Sequence, residues 1–288
     1  MTQPTSARPL PPAPGFLTSS LRVFDLSIGE MLWSRRTIFM MLVVGAPVFL
    51  ALLLRLVVWL GAPVLNDVNT GRTSIRMTGP AIFGLMIWLV YLRFAVPILG
   101  VFYGSALMAD EIEDKTITYL FTRPIRRGAV LFGKYLAYLV CTICVVLPSV
   151  VLVYLLVVPM RGSLGGSFID LLKDLMLLSL GLAAYGALFA FVGAKFKRPL
   201  MIGLIFVFGW EQAALAFPGY LKRFTVAYYL QGLVPHAMPN DGVISLVQGI
   251  FRESPTLFGS LAGLAFIFLF FVAWAAWTVE RREYVLEQ

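Results

Sequence analysis

Long apolar runs alternate with short polar gaps along this chain, and the run lengths set the first expectation. A helix needs about 20 apolar residues to cross a bilayer. The runs predict six such spans, at about residues 37–60, 80–109, 130–158, 172–194, 200–217 and 257–278. Ahead of the first span, Leu17, Leu21, Phe24, Ile28 and Met31 recur at helical spacing, while Ser20, Asp25, Ser27 and Glu30 fall elsewhere on the wheel. That pattern predicts an amphipathic helix lying in the membrane interface. Residues 1–15 are polar and Pro-rich, without the apolar core of a signal peptide, and are expected to be a disordered tail. Residues 16–288 then form a single transmembrane domain, and the fold class is an all-α polytopic membrane protein.

Composition agrees. Hydrophobic residues make up 59% of the chain and charged residues 13%, against roughly 45–50% and 25% in soluble domains. The short alternating segments of a lipid-facing barrel are absent from the sequence. The net charge of +8 does not point to nucleic acid. The basic residues cluster beside apolar runs, where anionic lipid and topology account for them, and no basic-aromatic module is present. With six spans, both termini share a side. Fourteen Lys and Arg fall on that side, in residues 1–36, 110–134, 195–199 and the tail, and seven fall opposite. The excess assigns the termini to the cytoplasm, in a cytoplasmic (inner) membrane.

One gap stands out. Asp110 to Lys134 carries nine charges in 25 residues: Asp110, Glu111, Glu113, Asp114 and Lys115, then Arg123, Arg126, Arg127 and Lys134. Pro124 divides an acidic half from a basic half, and Pro ends or kinks a helix. The acidic half, followed by Ile117, Leu120 and Phe121, suits a short surface helix with its N-terminus toward the negative charge. On charge alone, a plain solvated loop fits equally well. Gly128 to Lys134 matches the GxxxxGK of a phosphate-binding loop, but Tyr135 follows where Ser or Thr would be needed for magnesium, and no strand precedes it. Nucleotide binding is therefore not expected on this chain.

The order of residues in this gap resembles the segment between the second and third spans of type 2 ABC (ATP-binding cassette) exporter permeases. Glu111, Glu113, Thr116, Leu120, Pro124, Arg127, Gly133 and Lys134 match that family's pattern in order and spacing, with Lys115 where the family usually has Gly. The resemblance implies that the stretch forms a coupling helix docked in a separate cytoplasmic ABC ATPase, present in two copies. ATP and magnesium would be bound there, with no cofactor on this chain. It also implies pairing with a second copy or a paralogous permease. Lys195, Lys197 and Arg198, in the turn between spans four and five, would make a second contact with the ATPase.

The remaining candidates are weaker. Arg93 and Glu211 lie inside spans two and five, and buried intramembrane charge usually faces the bundle or a pathway. They could touch substrate, pair with each other, or be structural. Arg55 is near a span end and is expected to snorkel to the interface. Gly100–Gly104 and Gly259–Gly263 have the spacing of close helix contacts, including a dimer face. Cys141 and Cys144 lie in one apolar run and read as small hydrophobes. His236 is the only histidine and lacks catalytic or metal-binding partners. Residues 220–233 suit a short re-entrant or interfacial helix on the external face.

The resulting expectation is a non-catalytic permease subunit of an ABC exporter. The rival readings are a force-transmitting subunit without a solute, a membrane-embedded lipid-modifying enzyme, and a secondary transporter, which would show inverted repeats.

Overall fold

The computed structural model describes residues 15–32, 35–61, 68–69, 74–75, 78–113, 127–160, 162–216, 220–235 and 255–281. Its helices are α1 (Phe16–Leu32), α2 (Arg35–Trp59), α3 (Gly79–Asp110), α4 (Arg127–Val157), α5 (Phe168–Lys195), α6 (Pro199–Leu215), α7 (Val226–Gln231) and α8 (Leu257–Arg281). Five of them, α2, α3, α4, α5 and α8, are long and apolar enough to cross a membrane; α6, where span five is expected, is shorter. A two-residue antiparallel ladder, Val68–Asn69 with Ser74–Ile75, is the only strand pairing among the described residues. The expected disordered tail at 1–15 lies outside the described residues, apart from Gly15.

The bundle is layered around α3 and α5. These two bury most of their surface, while α2 and α8 bury least and turn large side chains outward, such as Trp59 (80% exposed) and Phe258 (83% exposed). In water such exposure would be costly, but against lipid tails it costs nothing, because the solvent is as apolar as the side chain. The core is rich in tyrosine: Tyr91, Tyr103, Tyr138 and Tyr185 are fully buried. A buried phenol usually finds a partner for its hydroxyl, and Tyr103, whose Oη makes no hydrogen bond, is the exception among these four. Tyr138 donates to Leu182 O (3.0 Å), Tyr135 to Ala183 O (2.8 Å), and Tyr91 shares a hydrogen bond with Ser149 (2.9 Å).

Glycines set the closest approaches. Cβ atoms at Gly100 and Gly104 would meet Tyr185 Cβ at 2.7 Å and Gly186 O at 3.0 Å, so this pair seats α3 on α5 within one chain. Gly263 faces Tyr229 of α7. At these positions the small-residue spacing serves internal packing, not the dimer contact also considered from sequence. Gly133, part of the false phosphate loop, has its own reason: a Cβ there would lie 2.5 Å from Ser20 O and 2.9 Å from Val23 Cβ of α1.

That contact shows how α1 sits. Ser19, Ser20, Val23 and Ser27 are buried, α1 packs on α4, and Leu17 and Leu21 are 70% and 61% exposed. The small polar face meets the protein and the leucine stripe is left outward, as an interfacial helix requires.

At the opposite end from α1, loops are pinned by backbone bonds. Gly79 N donates to Met160 O at 2.8 Å, joining the start of α3 to the end of α4. Arg55, exposed near the end of α2, donates its Nη1 to Leu156 O at 2.9 Å, in the last turn of α4. A cation there also meets the negative end of the helix dipole.

Candidate coupling and intramembrane sites

The charged gap begins where α3 ends. A helical piece, Ala106–Glu113, overlaps the end of α3 and carries Glu111 and Glu113 past it on helical backbone, in line with the bilayer-crossing segment above. Thr116, Leu120 and Pro124 lie outside the described residues; Arg127 opens α4 and is half-buried. At the foot of the helix, Asp110 is held by Arg36 of α2, with Nη1 to Oδ2 at 2.5 Å and Nη2 to Oδ1 at 2.6 Å. The bidentate geometry matches the planar guanidinium to the carboxylate. Thr37, beside Arg36, donates to Met31 O at 2.6 Å, so the same turn fastens the end of α1. The bases of α1, α2 and α3 therefore meet next to the charged gap. Because Arg36 and Asp110 are 41% and 39% exposed, their pair is worth about 0.2–1 kcal/mol. Asp110→Asn should lower the melting temperature of the purified chain by no more than a few degrees. A loss of folded protein would contradict this assignment.

The turn between α5 and α6 is exposed from Lys195 to Arg198. Lys195 Nζ lies near the rings of Phe191 (5.3 Å), Phe196 (5.9 Å) and Trp274 (5.1 Å). It is thus anchored by cation–π attraction to α5 and α8. Lys197 and Arg198 occupy the apex before Pro199 opens α6.

Inside the bundle, the pairing considered for Arg93 and Glu211 does not form as a direct contact. Arg93 donates through Nε (3.2 Å) and Nη2 (2.5 Å) to Gln212 Oε1, with its guanidinium 5.5 Å from the Trp88 ring. Glu211, 1% exposed, points the other way. Its Oε2 accepts from Tyr185 Oη of α5 at 2.7 Å, and its Oε1 accepts from Ala227 N of α7 at 3.0 Å. Two neighbouring side chains of α6 therefore tie three elements: Gln212 holds α3, and Glu211 holds α5 and α7.

The local helix geometry accounts for this. Arg93 lies in a π-helical stretch, Ile87–Ala95, and Glu211 ends another, Ile205–Glu211. The wider π turn shifts every following side chain round the axis and is frequent at functional sites. Sequence reading at 3.6 residues per turn misses that shift, and it misses Gln212 and Tyr185 altogether. Among the described residues no group of His, Cys, Asp and Glu could hold a metal ion.

A family model described as ABC-2 family transporter protein matches residues 30–279, from the end of α1 through nearly all of α8. The chain belongs to that family. It is accordingly a multi-pass membrane protein and a permease subunit of an ABC transporter, and permeases of the ABC-2 family generally work with an ABC ATPase partner. No curated protein matches the chain.

Proposed function

We propose that this chain is the membrane-spanning subunit of an ATP-driven exporter, moved by ATP hydrolysed on a separate cytoplasmic ATPase. Membership of the ABC-2 family across residues 30–279 carries the reading. Asp110–Lys134 is the handle: Glu111, Glu113, Thr116, Leu120, Pro124 and Arg127 dock in a cleft of the ATPase, and Lys195, Lys197 and Arg198 make the second contact. The termini and both contacts are cytoplasmic, α6 serves as the fifth of six spans, and two permease chains face two ATPase subunits. ATP binding changes which ATPase conformation the coupling stretch fits, and that differential contact moves the spans.

Arg93 and Gln212 are the polar groups a solute meets at mid-depth. Arg93 is 14 residues from the start of the 32-residue α3, about 21 Å along the helix. With apolar walls around them, they suit an amphipathic solute. The purified chain alone should hydrolyse no ATP above background, and adding its ATPase should produce hydrolysis in a joint complex. Robust hydrolysis by the chain alone would overturn the two-subunit reading.

A further inference from the structure

We infer that Arg93 and Gln212 form a binding site for an anionic amphiphile, a carboxylate, sulfate or phosphate head on an apolar tail, and that the head displaces the Gln212 oxygen from the guanidinium. The inference rests on the permease reading and names the class of molecule that reading leaves open.

The donors decide the sign of the ligand. A guanidinium carries five N–H groups. Nε and Nη2 of Arg93 each donate to Gln212 Oε1, which leaves Nη1 with both of its own. Gln212 has its oxygen turned to Arg93, so its amide nitrogen offers donors and no acceptor. Both residues are half-buried, within reach of a ligand. A head that meets them meets donors from two helices and a positive charge. A cationic head finds no acceptor that is not already engaged, and Arg93 repels it.

The anchor of Arg93 is also unusual for its depth. The other strongly held arginine, Arg36 at the base of α2, has the carboxylate of Asp110. Among the described residues, Arg93 has no carboxylate within ion-pair distance. Glu211, beside Gln212, is turned away, with its oxygens accepting from Tyr185 and Ala227. Its charge opposes an anion at longer range, so the head must bind by direct contact with the donors. A charge at mid-depth is costly and is usually kept facing a partner or a pathway. A neutral carboxamide oxygen is a poorer match to a guanidinium than an anion, which makes shorter, charge-assisted and bidentate bonds.

The surroundings suit a tail. Leu89 and Phe94 of α3 are 49% and 46% exposed, and Phe208 and Trp210 of α6 are 49% and 43% exposed. Gly209, one turn before Gln212, has only Ile205 near its Cβ position, at 3.8 Å, so the wall of α6 is bare there. The two π stretches, on α3 and α6, lie on either side of this polar contact.

The test uses the full chain without ATPase in phosphatidylcholine nanodiscs, with Cys141 and Cys144 replaced by serine. A Phe94→Cys reporter is labelled with N-ethylmaleimide as laurate is added. Labelling should slow with laurate, and dodecanol or dodecyltrimethylammonium should need about tenfold more or higher for the same slowing. Gln212→Glu is the deciding variant. It places a carboxylate on Arg93 from within the chain, so it should abolish protection by laurate while keeping the melting temperature at or above that of the parent. Arg93→Gln should abolish it as well. Phosphatidylglycerol in place of phosphatidylcholine separates the sources of the head. Protection by that lipid alone supports the site with a membrane lipid as its occupant, and protection by laurate alone supports it with a solute. Acetate as effective as laurate would overturn the amphiphile class. Equal protection by dodecanol, full protection by laurate in Gln212→Glu, or no protection by either anion would overturn the site. No arm needs ATP, so these failures leave the coupling reading standing, and hydrolysis measurements test that separately.

Discussion

Gly193→Ala should leave little folded protein, and Gly193→Leu none. A Cβ at Gly193 would fall on the Ser105 carbonyl, with Ser105 C at 2.9 Å and Cα at 3.0 Å. The obstacle is backbone, so no rotamer change relieves it. Ser105 cannot retreat easily, because its own N–H donates to Val101 O at 3.2 Å and it joins the membrane-crossing part of α3 to Ala106–Glu113. Overpacking a core costs about 1–3 kcal/mol where side chains can adjust, and this site should exceed that range. Gly45→Ala is the contrast: nothing lies within 4 Å of its Cβ position, and removing a helix glycine should stabilise by up to about 1 kcal/mol. Yield and melting temperature of the purified chains check both. Normal stability of Gly193→Ala would mean that α3 and α5 are not in this contact.

The contrast between these glycines bears on what the sequence could disclose. Run length alone located the five helices that are long and apolar enough to cross a membrane, because a bilayer needs a continuous apolar stretch whatever it packs against. The same apolarity hides which face is inward. For α1, the periodicity of Leu17 and Leu21 marked a stripe, but the protein-facing side is the small one, Ser19, Ser20 and Ser27. Lipid cannot drive leucine inward, so close approach of small residues decides the contact. The candidate site was legible to the same degree. Arg93 and Glu211 stood out as charges in an apolar background. Their partners did not, because Gln212 and Tyr185 are ordinary residue types whose roles depend on two π stretches and on helix rotation. The partner of Arg55, a carbonyl at the end of α4, was not legible either, because only the tertiary arrangement brings those two together.

The charged gap is where sequence pattern and fold combine into the second large effect. Replacing Glu111 and Glu113 together with Ala should uncouple the complex: ATP hydrolysis by the partner should continue, while its mechanical consequence in the membrane should vanish. The reason lies in how α3 is built. Glu111 and Glu113 are on Ala106–Glu113, directly below the crossing segment that carries Arg93, and Asp110 between them and the membrane is clamped to Arg36 at the base of α2. A displacement applied at the two glutamates therefore reaches α2 and α3 together. Without the carboxylates the ATPase still closes on nucleotide, but its two conformations no longer differ in their fit to this helix, and a contact without differential affinity shifts nothing. The readout is a Phe94→Cys reporter, one residue from Arg93 and 46% exposed, labelled with and without ATP in the reconstituted complex. ATP should change the labelling rate in the parent complex, and in the double variant the two rates should agree within roughly twofold. Glu111→Gln with Glu113→Gln separates charge from shape: if that pair also uncouples, the ATPase reads the carboxylate charge. A full ATP response in the double alanine variant would remove the coupling role from this stretch and leave it a solvated connection between spans.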